Sequence, residues 1–235
     1  MRVAVIRHHD EDSAGFAGAA FEAHGAELDV RLFPAGGSLP TLNGVDHAVV
    51  LGSYASVNDD EAWIAEELDW LRRADAAGVP VLGICFGGQA LCAAFGGRVE
   101  KMDREEIGWK VIDTADPGPV AAGPWLEFHG DRCQPPPAAR VLARNAIAVQ
   151  AFVIGRHLAV QFHPECDGAQ LKRWLDGGGR EHVSGAGADP DQLLARTIRE
   201  EPAARERAGR LVDAALRIAA ATPRPARHNV RRVAR

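Results

Sequence analysis

The 235-residue sequence predicts an α/β fold: a mostly parallel, doubly wound sheet flanked by helices, with a small antiparallel strand section and a helical C-terminal tail. Three observations carry this. Short apolar runs alternate with stretches of helical period up to residue 97, the helical period disappears between 98 and 162, and it returns from 189. With 46% hydrophobic and 25% charged residues, the chain can bury the core of one large domain.

VAVI (3–6) is a β-branched run followed at once by polar residues, as in a central parallel strand that ends in a functional loop. In DSAGFAGAAFEAHGA, Phe16, Ala20 and Phe21 recur at helical spacing and Gly25 supplies a stop. ELDVRLF (27–33) and DHAVVLG (46–52) read as strands joined by the turn chemistry of PAGGSLPTLNG. From Asp59 the pattern is helical. Trp63, Ile64, Leu68 and Leu71 share one face, Glu66, Glu67, Arg72 and Arg73 take the polar side, and Gly78 and Pro80 end the helix. VPVLGIC (79–85) is then a buried strand, and the site is expected at the carboxyl ends of the strands.

RVEKM, GWKVIDT, WLEFHG, ARVLAR, AVQAFVI and HLAVQF are strand-like runs separated by Gly, Pro or Asp, predicted as an inserted or appended, mostly antiparallel set. GGGREHVSGAGADP (177–190) reads as a low-complexity loop. Asp189 and Pro190 form the N-cap and first-turn pair of the tail helix, whose buried face is expected to hold Leu193, Leu194, Ile198, Leu211, Val212, Ala215, Leu216 and Ile218. One domain is therefore expected over 1–221. Residues 222–235, with five arginines and no acid, read as a flexible basic tail, the alternative being a docking segment for a partner.

A formal net charge of -5 gives the whole chain no electrostatic footprint for nucleic acid or an acidic membrane surface, so small molecules or other proteins are the expected partners. The amino terminus has only about four apolar residues in a row, too few for a signal-peptide core, and nothing later approaches ~18 uninterrupted apolar residues. A soluble, cytoplasmic protein is expected. Cys85, Cys92, Cys133 and Cys166 show neither a CxxC pair nor zinc-ligand spacing, which fits a reducing compartment. Neither a metal nor a cofactor is expected.

Gly83-Ile84-Cys85-Phe86-Gly87, between a strand and a helix, has the layout of a nucleophile elbow. The turn is so sharp that the nucleophile projects from the top of the sheet, and a Cβ at 83 or 87 would collide with neighbouring backbone. At a helix N-terminus the backbone N–H groups and the helix dipole favour thiolate over thiol. The competing reading is a buried structural cysteine.

HLAVQFHPE (157–165) supplies the partners that a nucleophile needs. His163 and Glu165 emerge on the same side of an extended segment, and Pro164 biases His163 to that conformation. A cysteine nucleophile wants an imidazole to take and return its proton, and the imidazole wants a carboxylate to fix its tautomer. His129 in EFHGD competes as the base. His8 and His9 are adjacent, so they face opposite ways and make a poor metal site, while His24, His47, His157, His182 and His228 read as surface residues. Cys92 reads as core, and Trp63 and Trp70 as helix packing.

GICFGGQ together with VQFHPE resembles the class I (triad) glutamine amidotransferases, most closely the glutaminase domain of GMP synthetase and its free-standing relatives. EIGW (106–109) and FHGD (128–131) look like that branch, and the resemblance covers roughly 1–221. It implies a flavodoxin-like sheet, with Cys85 as the nucleophile that forms a γ-glutamyl thioester, His163 as the general acid/base and Glu165 as the group that orients it. The Phe86 N–H and one from the Gly52-Ser53 loop would form the oxyanion hole, and Gln89 with the backbone near Phe128 and His129 would hold glutamine. GSYASVND (52–59) is similar to the family's Gly-Gly-Pro loop but reads Gly52-Ser53-Tyr54, losing a glycine and the proline.

The expected activity is ammonia release from glutamine, with a separate synthetase subunit as a possible partner, because no Gly-rich, Lys-containing nucleotide loop is present in the sequence. The alternatives are a γ-glutamyl peptide or amide hydrolase using the same residues, or a catalytically weak binding protein of this fold.

Overall fold

The computed structural model describes residues 1–114 and 118–223. From residue 224 onward, the basic tail expected at 222–235 lies outside the described residues.

Strands β1 (Arg2–Arg7), β2 (Glu27–Leu32), β3 (His47–Val50) and β4 (Val81–Ile84) alternate with helices α1 (Gly15–Ala23), α2 (Ala62–Ala76) and α3 (Phe86–Ala94), as the alternating pattern predicts. They are followed by β5 (Arg98–Lys110), β6 (Asp113–Thr114), β7 (Trp125–Gln134), β8 (Arg140–Arg144), β9 (Val149–Ile154) and β10 (His157–Val160). Helices α4 (Gly168–Trp174), α5 (Arg180–Gly185) and α6 (Pro190–Ala221) close the described chain.

Among the described residues, eight strands form one sheet in the order β2-β1-β3-β4-β10-β9-β8-β6. The pairs from β2 to β10 are parallel; those from β10 to β6 are antiparallel. β1 lies between β2 and β3, so the chain reverses direction across the sheet there and opens a crevice above the strand ends. Strands β3, β4 and β10 are buried at every residue because helices cover both faces. Ala4 and Ile6 join the cluster containing Ile64, Leu71, Phe86 and Leu91 of α2 and α3, while Val3 and Val5 join Phe21 of α1 and Leu211 of α6 on the other face.

Two expectations about the strands need correction. The antiparallel strands are not one separate set: β6, β8 and β9 extend the main sheet, and β10, the HLAVQF run, pairs parallel with β4. Only β5 and β7 stand apart, as a two-stranded arm with a register shift between Lys101 and Glu106. RVEKM and GWK are both parts of the single long strand β5.

The helical regions need corrections too. The segment 177–190 is only partly a loop: Gly177 and Gly178 have non-helical backbone angles and form a kink, but Arg180–Gly185 form α5. Leu175 before the kink and Val183 within α5 lie in a cluster with Trp174 and Leu193, and this packing holds the short helix in place. Asp189 caps α6 as expected, its carboxylate accepting from the backbone N–H of Asp191 and Gln192, with Pro190 in the first turn. Ile198, expected to be buried, is exposed, and Thr197 takes its place inside by bonding the Trp109 indole N–H.

Candidate active site

The site is assembled at the carboxyl ends of four neighbouring parallel strands. His8 and His9 follow β1, Gly52 to Tyr54 follow β3, Cys85 follows β4 and His163 follows β10. Cys85 has φ 52° and ψ −109°, and among the described residues it alone has a positive φ without being glycine. Such a conformation costs on the order of 1–3 kcal/mol and persists only where its surroundings enforce it. Here the enforcement is explicit: the Cys85 N–H donates to Val160 O of β10 at 2.9 Å, and the Gly87 N–H donates to Leu51 O beyond β3 at 3.2 Å. A Cβ on Gly83 would stand 2.4 Å from Gly87 O, and one on Gly87 would stand 2.2 Å from Val50 O, which bears out the steric reading of the motif.

His163 and Glu165 leave β10 on the same side. His163 Nδ1 lies 2.8 Å from Glu165 Oε1, and both side chains are buried. Since a carboxylate only accepts, Nδ1 carries the proton. Nε2, without a hydrogen-bond partner among the described protein atoms, is left for the Cys85 side. Burial pushes the His163 imidazole toward neutrality, but the charges of Glu165 and Cys85 outweigh it and lift its pKa well above the ordinary value. The segment is held from three sides: His163 N–H donates to Leu126 O at 2.9 Å, Phe16 N–H donates to Glu165 O at 3.0 Å, and the Trp174 ring meets the His163 ring edge-on at 5.1 Å.

Two connected hollows meet at Cys85. A narrow one of about 40 Å³ is lined by His9, Gly52, Ser53, Tyr54, His163 and Trp174 among others. A polar one of about 450 Å³ includes Gln89, Lys101, Glu105, Phe128, His129 and Asp131. Gly52 lies against the reactive side chains: a Cβ there would stand 3.1 Å from His163 Cε1 and 3.7 Å from Cys85 Cβ. Phe86 begins α3, so its N–H belongs to the first turn of that helix, beside the thiol.

The residues expected to hold substrate do line the larger hollow, but two of their side chains are already engaged. Gln89 Nε2 donates to Asp131 O and Gln161 Oε1, each at 3.3 Å. His129 Nδ1 donates to Asp131 O at 2.9 Å, and its Nε2 lies 3.3 Å from Glu106 and 3.2 Å from Glu127. His129 is thus a buried link between carboxylates, with only its backbone facing the role expected of it. Burial lowers the His129 pKa, yet the two glutamates overrule it and raise it to about 10. Burial in turn raises the Glu127 pKa. Among the described residues these three also form the one group whose ligand atoms, all within 4.8 Å of one another, could hold a metal ion. A proton on His129 balances the same charges.

Several residues at the site went unread in the sequence. Gln161 Nε2 lies 3.7 Å from Cys85 Sγ. Glu67, expected on the polar face of α2, is fully buried and bonded to His8, because the α2 turn that bears it faces the end of β1. The other surface expectations divide. His24 and His182 are exposed, and His228 lies outside the described residues. His47 and His157 are buried; His157 accepts from the Val81 N–H at 3.1 Å and meets Asp75 at 3.1 Å. Cys92 is core, with no exposed surface.

Comparison with known proteins agrees with this architecture. The profile of the family described as glutamine amidotransferase class-I matches residues 20–175. The GMP synthase [glutamine-hydrolyzing] of Thermus thermophilus is 37% identical over 151 residues, which are 57% of this chain and 28% of that protein. Its counterpart in Thermomicrobium roseum is 38% identical over 129 residues, 50% of this chain and 23% of that protein, so the match spans only about a quarter of these relatives. The crystal structure of a glutamine amidotransferase from Thermotoga maritima superimposes with a TM-score of 0.83 at 25% identity, covering 93% of this chain and 98% of that one. The glutamine amido transferase of Methylobacillus flagellatus shares the fold, with a TM-score of 0.83 at 24% identity over 97% of each chain. With the family profile matched over more than half its length, this chain belongs to the class-I glutamine amidotransferase family.

Proposed function

We propose that this protein releases ammonia from the side-chain amide of glutamine through a thioester on Cys85. The observation that carries the reading is the elbow itself: a strained backbone at Cys85, beside a buried His163 whose Nδ1 is fixed by Glu165 at 2.8 Å. Cys85 gives its thiol proton to His163 Nε2 as Sγ adds to the side-chain carbonyl carbon of glutamine, and the oxygen takes up the negative charge. The Phe86 N–H and an N–H of the Gly52-Ser53 loop meet that charge, each such donor being worth about 3–4 kcal/mol. The tetrahedral adduct collapses as His163 gives a proton to the departing nitrogen, leaving ammonia and the γ-glutamyl thioester. His163 then takes a proton from water as its oxygen attacks the thioester carbonyl, and glutamate leaves with the thiol restored.

The relatives named as GMP synthases support a further step in which ammonia passes to a separate synthetase subunit. No helix among the described residues is long and apolar enough to cross a membrane. We place the reaction in the cytoplasm, where a thiol nucleophile stays reduced. A second reading, cleavage of a γ-glutamyl peptide or amide by the same residues, is favoured by the polar hollow of about 450 Å³, which offers more room than one glutamine fills. A substrate panel separates the two. Ammonia release from free glutamine, abolished in Cys85→Ala, is the expected result; turnover of γ-glutamyl dipeptides with glutamine left intact would transfer the assignment to the second reading.

A further inference from the structure

Two adjacent histidines that the proposed reaction does not use contact the loop after β3. His8 is buried, with Nδ1 2.7 Å from Gly52 O and Nε2 3.0 Å from Glu67 Oε2. A carbonyl and a carboxylate both only accept, so each ring nitrogen is a donor and the imidazole is doubly protonated. The charged groups that face it are Glu67 from α2 and Asp12 from the segment after β1, while Phe86 and Trp63 pack their rings against it. His9 Nε2 lies 3.5 Å from the Tyr54 backbone nitrogen, and the His9 and Tyr54 rings sit 4.5 Å apart.

The geometry of one peptide unit gives this arrangement a consequence. The Gly52 carbonyl and the Ser53 N–H belong to the same trans peptide, so they point to opposite sides of the chain. Pinning the carbonyl toward His8 turns the Ser53 N–H away from His8. Gly52 and Ser53 both line the hollow that also holds Cys85 and His163. The loop reads Gly52-Ser53-Tyr54 and has no proline to stiffen it.

We propose that the buried His8–Glu67 pair is a positioning device for the second oxyanion donor: it clamps the Gly52 carbonyl and thereby aims the Ser53 N–H at the tetrahedral oxygen formed on Cys85. The proposal rests on the thioester reading above. A clamp of this kind acts on the transition state, so it governs kcat more than KM.

The test compares His8→Ala with His8→Asn, whose amide nitrogen takes the place of Nδ1 without reaching Glu67. His8→Ala is expected to lose roughly 10²–10³ in kcat, as when an oxyanion donor is removed. His8→Asn is expected to recover most of that loss, although both variants lose the Glu67 contact and unfold at similarly lowered temperatures. Full kcat in His8→Ala, or equal impairment of the two variants, would overturn the clamp. Should His8→Ala fail to fold, the ring nitrogens of His8 in ¹⁵N-histidine-labelled wild-type protein decide the matter. Two protonated nitrogens at neutral pH are expected, and a bare Nδ1 would overturn the proposal. If the wild type turned over neither glutamine nor a γ-glutamyl amide, the thioester reading would fail, and the nitrogen spectrum would still report on the clamp.

Discussion

Cys85, His163 and Glu165 were legible because each sits in a short contiguous pattern whose local geometry is fixed by neighbours in sequence. GICFG dictates an elbow through the two glycines that cannot carry a Cβ, and HPE places its imidazole and carboxylate two residues apart on extended chain. His8, Glu67, Glu106, Glu127 and Gln161 were not legible, because their contacts join residues far apart in the chain, His8 to Glu67 across 59 positions and Gln161 to Cys85 across 76. Glu67 shows the physical reason. Helical periodicity assigns a charged residue to the solvent face, and only the tertiary partner makes its burial tolerable. In steady-state assays, His163→Ala and Glu165→Gln are each expected to lower kcat by about 10²–10⁴, the second by releasing the His163 tautomer. A His163→Ala enzyme at full rate, with His129→Ala inactive, would reassign the base.

His129 adds a pH dependence to stability. Its folded pKa of about 10 lies above the ordinary 6.5, so the stabilisation from Glu106 and Glu127 is complete below the lower value and is lost as pH rises through the higher one. Urea denaturation is expected to show a midpoint that falls over that interval in the wild type. The fall should be smaller in His129→Gln. Parallel curves for the two proteins would contradict the link.

At the scale of elements, the sequence spoke clearly where the period of the pattern matched a buried face and poorly where packing overrode it. β1, α1, β3, α2 and β4 fall where β-branched runs and helical spacing predict them. The glycines at 177 and 178 do break the helix, but α5 after them was missed because Val183 packs with Trp174 and Leu175 in a cluster that is invisible locally. The arm of β5 and β7 likewise escaped recognition as a separate unit, since strand propensity says nothing of which sheet a strand joins. The tight contact between β3, β4 and α3 makes its own demand. Gly87→Ala is expected to cost about 3 kcal/mol or more, because a Cβ 2.2 Å from Val50 O forces the strand and helix apart. Thermal unfolding measures it, and an unchanged midpoint would show that the elbow relaxes freely.

For the whole molecule, the doubly wound sheet explains why one crevice gathers side chains from four strand ends. β1, β3, β4 and β10 are neighbours in the sheet although β10 follows β4 by more than seventy residues, and the intervening strands supply the arm that walls the larger hollow. The central claim is that this crevice makes Cys85 a nucleophile toward a γ-glutamyl carbonyl. It is tested most directly by intact mass and peptide mapping after exposure to the glutamine analogue 6-diazo-5-oxo-norleucine. A single adduct on Cys85, absent from Cys85→Ala, is the expected result, with Cys92, Cys133 and Cys166 unmodified in the core. A wild-type protein that hydrolyses glutamine yet carries no adduct on Cys85 would contradict the account.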